Sequence, residues 1–230
     1  MIVLGLTGSV GMGKSTAASM LRRLGVPVHD SDAEVHRLLG PRGRAVAAVA
    51  DAFPSARQGN RIDRPRLGRL VFGDAVALKR LESILHPQVR ASQARFLAAA
   101  RRRRAPVVVL DIPLLFETSG ERRVDGVIVV SAPAWLQRAR VLRRPGMTEA
   151  RLASILAQQM PDTEKRRRAR WVVPTGLGKA LTMRRLKEIL QEVRPSTHSQ
   201  SSLAQDEGEL SGEKETSSSF CDWGCGCQSV

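Results

Sequence analysis

The sequence predicts a three-layer α/β protein: a five-stranded parallel sheet with helices on both faces, an inserted helical subdomain and a short helical lid. Three observations predict it. A glycine-rich loop stands between a candidate strand and a candidate helix near the N-terminus. Further short apolar runs alternate with helical patterns, as right-handed β-α-β crossovers require. Between two of those runs, residues 31–104 carry helical patterns with no strand-like run of comparable quality.

The first strand is Ile2-Val3-Leu4-Gly5-Leu6. It leads into Gly8-Ser9-Val10-Gly11-Met12-Gly13-Lys14-Ser15, the G-x-x-x-x-G-K-[ST] spacing of a phosphate-binding loop. Glycines let successive backbone N–H groups point into one anion-sized hollow. Lys14 adds a point charge for the β- and γ-phosphates of a nucleoside triphosphate, and the Ser15 hydroxyl is a ligand for Mg²⁺. Ala17, Ala18, Met20, Leu21 and Leu24 then give a helix one buried face, and Gly25 ends it.

Val26-Pro27-Val28, leading into His29-Asp30, reads as a fifth, short strand. In residues 31–104, Ala33 to Leu39 forms a helix, Asp63 and Asp74 are N-caps, and His86-Pro87 puts proline in the first turn of a long helix ending near Arg103. The remaining strands are Val107 to Leu110, ending at Asp111; Val127 to Val130, ending at Ser131; and Trp171 to Val173, before Pro174. A helical pair at about 134–143 and 148–159, hinged at Pro145-Gly146 and capped by Thr148, carries Arg138, Arg140, Arg143 and Arg144 with no acid on the first helix. A short basic hairpin suits a mobile cover over phosphates. The expected organisation is one domain over 1–194, with a core at about 1–30, 105–135 and 169–194, an acceptor-binding insert at about 31–104 and a lid at about 136–168. A disordered tail follows at 195–230.

Charge supports an anionic ligand. The chain has 37 Lys and Arg against 22 Asp and Glu, and the tail holds Lys214 with six of the acids, so residues 1–194 carry 36 basic and 16 acidic side chains, a net of +20. Eight aromatics (five Phe, three Trp) are too few for base-stacking platforms, which argues against nucleic acid as a partner. The runs Arg101–Arg104 and Lys165–Arg168 read as basic helix ends that complement their own dipoles. No apolar stretch is long enough to cross a membrane, and the apolar start leads straight into the phosphate loop, so the cytoplasm is the expected compartment. Cys221, Cys225 and Cys227 lack the paired spacing and nearby histidine of a zinc site.

A phosphate loop alone does not name a reaction. An N-K-x-D-type guanine segment is absent, which excludes the usual GTPase, and the chain is short for a motor. A small-molecule kinase fits, one for nucleoside monophosphates among the alternatives, as does a non-catalytic nucleotide- or RNA-binding regulator. Asp30 and Asp32, read as an i, i+2 pair on an extended segment, would face one way. Either one accepts a proton from an attacking hydroxyl, or Asp32 only caps the next helix. Asp111 could assist Mg²⁺ through water or cap a turn.

The residues resemble the dephospho-CoA kinase family. The resemblance rests on Gly5-Leu6-Thr7-Gly8 through Lys14-Ser15-Thr16, Asp30-Ser31-Asp32, His86-Pro87, Pro113-Leu114-Leu115-Phe116-Glu117, and Gln137-x-x-Arg140-x-x-x-Arg144 with Gln158-Gln159, in that order. It covers about 1–194. It implies transfer of the γ-phosphoryl group of ATP, with Mg²⁺, to the ribose 3′-hydroxyl of dephospho-CoA by a cytoplasmic monomer. By position it implies that Gly8, Gly11, Met12, Gly13, Lys14, Ser15 and Thr16 hold the ATP phosphates with Arg144, that Ser15 holds the metal, and that Lys14, Arg140 and the base Asp32 are catalytic. Asp30, Asp32, His86, Pro113, Leu114, Leu115 and Glu117 would shape the acceptor site. Arg170-Trp171 and Pro174-Thr175 depart from the family pattern on the adenine side.

Overall fold

A computed structural model describes residues 1–194; the expected tail and its three cysteines lie outside the described residues. In chain order the elements are β1 (Ile2–Thr7), α1 (Lys14–Arg23), β2 (Val28–Asp30), α2 (Ser31–Leu39), α3 (Val46–Ala52), β3 (Arg57–Gln58), β4 (Arg61–Ile62), α4 (Arg64–Val71), α5 (Ala75–Arg102), β5 (Val107–Asp111), β6 (Gly126–Ser131), α6 (Ala134–Leu142), α7 (Glu149–Ala157), α8 (Asp162–Arg168), β7 (Trp171–Pro174) and α9 (Lys179–Val193).

The five predicted strands form one parallel sheet in the order β2-β5-β1-β6-β7. β1 lies at its centre, and all of its residues after Ile2 are buried, which explains why the run is apolar without alternation. On one face, α1 and α9 close a core around Leu4, Leu6, Leu21, Ile128, Leu186 and Ile189. On the other, α5 covers Val3, Val108 and Leu110 through Phe96, Leu97 and Ala100. The edge strand begins at Val28 rather than Val26. Pro27 has no N–H to donate, and its carbonyl instead accepts from Val109 N–H at 2.9 Å.

Residues 31–104 fold as α2 to α5 around their own cluster of Leu38, Val49, Ile62, Leu67, Leu81 and Leu85. Within them sits the hairpin β3–β4, which the sequence reading did not anticipate. Its strands are two residues each, too short to show a period, but Gly59 (φ 60°) with Asn60 is a hairpin-type turn pair. Two expected caps are present: Asp63 accepts from Arg66 N–H at 2.9 Å, and Asp74 accepts from Val76 and Ala77 N–H at 2.9 and 3.0 Å. The second cap corrects the expectation for Pro87. The long helix starts at Ala75, so Pro87 lies inside it, forfeiting one backbone bond. Leu81 and Leu85 before it and Phe96 and Ala100 after it are all anchored in cores, and this burial carries the helix through the break.

The helical pair is α6 and α7, and Thr148 caps α7 by accepting from Arg151 N–H at 3.2 Å. Arg143 and Arg144 lie just past the end of α6, and Arg138 pairs with Glu149 of α7, so the arginines of this segment are not all without acidic partners. Among the described residues no helix is long and apolar enough to cross a membrane.

Candidate active site

The loop between β1 and α1 passes through two left-handed residues, Gly11 (φ 76°) and Gly13 (φ 87°). A side chain at Gly11 would also collide with Val141, its Cβ standing 2.6 Å from Cγ2. Gly13 caps α1 with no side-chain acceptor, and the first turn of α1 has no acid. Its leading N–H groups and the positive end of its dipole therefore face outward for an anion. Gln137 Nε2 donates to Val10 O at 2.8 Å, and Gln159 Oε1 accepts from Val10 N–H at 3.1 Å, so Val10 is held at both its N–H and its carbonyl. Met12 contributes backbone only. Its side chain is buried in the core, with its sulfur 3.1 Å from Ala132 N.

Beside the loop opens a cleft of about 780 Å³ lined by Gly8, Gly11, Gly13, Lys14, Ser15 and Thr16 on one wall and by Asp32, Arg140, Arg144 and Thr175 around it. Lys14 Nζ donates to Asp111 Oδ1 at 2.6 Å and lies 3.9 Å from Asp32 Oδ2. The two carboxylates differ in access: the Asp111 side chain is 2 % exposed and that of Asp32 is 63 % exposed. Burial pushes the Asp111 carboxyl above the usual carboxylate range, with the Lys14 ammonium pulling against it.

Asp30 and Asp32 are not a pair on one strand face. β2 ends at Asp30 and α2 starts at Ser31, so Asp30 is the helix cap, accepting from Ala33 N–H at 2.9 Å, with Arg22 3.8 Å away. Asp32 sits in the first turn and faces the cleft. The capping role weighed for Asp32 belongs to Asp30, because the strand stops two residues earlier than an extended i, i+2 pair would need.

Arg140 reaches across the cleft rim. Its Nη2 donates to Thr175 O at 2.7 Å, and its Nη1 lies 3.5 Å from Gly11 O. Thr175, noticed in the sequence only as a departure from a pattern, ties three elements together. Its hydroxyl donates to Met12 O at 2.7 Å and its N–H to Ser131 O at 2.8 Å, and its carbonyl takes Arg140.

A second pocket of about 320 Å³ shares Asp32 and Pro113 with the cleft and also presents His86 and Leu114. Leu115 and Glu117 are not there. Leu115 is fully buried in the core beneath the sheet, and Glu117 turns away to Lys165. Glu117 Oε1 accepts from Met160 N–H at 2.8 Å and stands 2.9 Å from the ammonium of Lys165, which is wholly buried. Burial alone would raise the Glu117 carboxyl, but Lys165 and the Met160 amide together outweigh it and hold it low. Lys165 thus leaves the basic run in which the sequence placed it. Arg167 and Arg168 of that run do stay at the surface, where they grip Glu164 and lower its carboxyl to about 2.

A protein-family model described as dephospho-CoA kinase matches residues 2–177. Among relatives, the dephospho-CoA kinase of Paramagnetospirillum magneticum is 66 % identical over 166 residues, covering 72 % of this chain and 78 % of its own length. That of Rhodospirillum rubrum is 59 % identical over 196 residues, covering 84 % and 92 %. Among solved structures, the protein TT1252 of Thermus thermophilus superposes with a TM-score of 0.75 at 40 % identity, covering 84 % of this chain and 98 % of that one. The dephospho-CoA kinase of Campylobacter jejuni shares the fold at a TM-score of 0.55 and 24 % identity, covering 84 % and 97 %.

Proposed function

The chain belongs to the dephospho-CoA kinase family, and from that premise we propose how its residues move the γ-phosphoryl group of ATP to the ribose 3′-hydroxyl of dephospho-CoA, the last step of CoA biosynthesis. One observation carries the assignment of roles. Asp32 lines both the cleft beside the phosphate loop and the adjoining pocket, and Lys14 stands between it and the buried Asp111.

The triphosphate lies along the loop from Gly8 to Thr16, its charge met by the N-terminal amides of α1 and by Lys14. Dephospho-CoA enters from the second pocket, past His86, Pro113 and Leu114, and brings its 3′-hydroxyl to Asp32. The exposed carboxylate takes the hydroxyl proton as the new O–P bond forms and the bond to ADP breaks; Asp32 then returns the proton to water. Arg140 exchanges the Thr175 carbonyl for phosphate oxygens, which its planar fork fits better than a point charge would. Arg144 follows with the lid.

Hard oxygen donors suit Mg²⁺, and the cleft supplies one in the Ser15 hydroxyl at the start of α1; Asp111, buried behind Lys14, would act on the ion through water. Bound there, the ion would neutralise phosphate charge. Leu115 and Glu117 act behind this site: they hold the loop that carries Pro113 and Leu114. We place the enzyme in the cytoplasm as a monomer, because one chain carries both pockets and both substrates are anions that remain in water.

Incubation with Mg-ATP and dephospho-CoA, followed by mass spectrometry, tests the reading. The expected product is heavier than dephospho-CoA by one phosphoryl group, and ADP appears with it. Consumption of ATP on AMP or CMP with none on dephospho-CoA would refute it.

A further inference from the structure

The acceptor pocket has a wall whose charges the reaction has not yet used. α5 presents Glu82, His86 and Arg90 at spacings of four residues, hence on one face, and all three line the pocket. Two side-chain contacts fix which end of that face lies near Asp32. Gln93 Nε2 donates to Ser31 Oγ at 3.2 Å, and His29 Nε2 and Ser92 Oγ are 3.2 Å apart. Arg90, less than one turn before Gln93, is therefore at the Asp32 end, and Glu82 is two turns further off.

The pocket also takes Arg123, from the turn that follows the Pro113–Thr118 segment. Its guanidinium folds over Gly120, where an added Cβ would stand 3.3 Å from Nη2. Neither Arg90 nor Arg123 is ion-paired among the described residues. Two unpaired guanidinium groups on a pocket bounded by a catalytic carboxylate call for an anion carried close to the reacting hydroxyl.

We propose that Arg90 and Arg123 hold the 5′-diphosphate of dephospho-CoA and so select acceptors that carry one; this rests on the reading of the acceptor given above. The diphosphate hangs on the same ribose whose 3′-hydroxyl must reach Asp32, so its charge falls within one sugar ring of that carboxylate. The phosphate loop cannot serve it, being occupied by ATP. Arginine forks bind such oxygens bidentately. Glu82, at the far end of the face, leaves the diphosphate unopposed there.

Steady-state kinetics on Arg90→Ala, Arg123→Ala, the double alanine variant and the double lysine variant test the proposal. Each alanine should raise the KM for dephospho-CoA at least about tenfold, the scale of a hydrogen bond to a charged group. The kcat should stay within about threefold, and the KM for ATP and the melting temperature should not move. The double lysine variant should fall in between, keeping charge but losing the fork. A double alanine variant whose KM for dephospho-CoA stays within about twofold of wild type overturns the proposal, as does a rise in the KM for ATP alongside it. Wild-type protein that fails to turn over dephospho-CoA at all overturns instead the underlying activity, which separates the two failures.

Discussion

Lys14 Nζ donates to Asp111 Oδ1 at 2.6 Å, and the carboxylate that receives it is 2 % exposed. The lysine of the phosphate loop is therefore oriented by a buried acid from the neighbouring strand before any nucleotide arrives.

Removing either partner alone strands the other. Lys14→Ala should lower kcat by at least about 10²-fold, the scale of one preorganised electrostatic donor. It should also lower the melting temperature, because Asp111 is left buried and uncompensated. Lys14→Ala combined with Asp111→Asn should regain most of the melting temperature and none of the activity. A double variant that melts as low as the single would show that the pair is not the source of the loss.

The two aspartates at the end of β2 should separate cleanly. Asp32→Asn is expected to lower kcat by about 10²–10⁴, the range of a general base, with the KM for ATP nearly unchanged. Asp30→Ala should cost stability of about 1 kcal/mol through its cap, while Asp30→Asn, an equally good cap, should cost almost none. Kinetics and denaturant melts on the three variants check this. A large kcat loss in Asp30→Asn with normal turnover in Asp32→Asn would reverse the assignment.

Glu117→Gln should destabilise the protein by about 3–5 kcal/mol, because the wholly buried Lys165 would lose its counter-charge. Glu117→Leu with Lys165→Met should restore much of this. The same pair predicts acid sensitivity. The folded-state carboxyl of Glu117 lies below its ordinary value, so its contribution is present above that value and is lost as pH falls through the folded one. Urea melts between about pH 6 and 3 should show the wild type losing stability faster than the double variant.

His29 gives a second pH effect in a different window. Burial holds it below 6.5 despite the nearby Glu34 and Asp30, which raise it; Arg37 acts with burial. The unfolded chain thus binds a proton that the folded one refuses, so stability rises with pH up to the ordinary histidine value and is lost on acidification from about pH 7 to 5.5. His29→Gln should flatten the melting temperature across that interval. An unchanged slope would mean that other groups set it.

The fold was legible because its signals are local. Buried parallel strands are short apolar runs, and a phosphate loop is eight consecutive residues. Caps such as Asp63, Asp74 and Thr148 act on amides two or three positions away and could be read where they stood. The site was legible only where its residues come in motifs. Lys165 looked like one more surface cation because its partner, Glu117, is 48 positions earlier in the chain, with β6, α6 and α7 between them. Arg138 looked unpaired because Glu149 lies on the next helix. The cap fell to Asp30 rather than Asp32 because their geometry depends on where the strand stops. Pro87 misled for a related reason, since a proline is a start signal only when tertiary burial does not override it.

Helix α5 belongs to two interiors at once: Leu81 and Leu85 serve the helical insert, while Phe96, Leu97 and Ala100 roof the sheet, with Pro87 between them. The insert is consequently not a cassette. A chimera that swaps the acceptor region of one kinase for another must be spliced within α5, just beyond Pro87, since a junction at either end of the helix would strip the sheet of its cover or leave the insert without its floor.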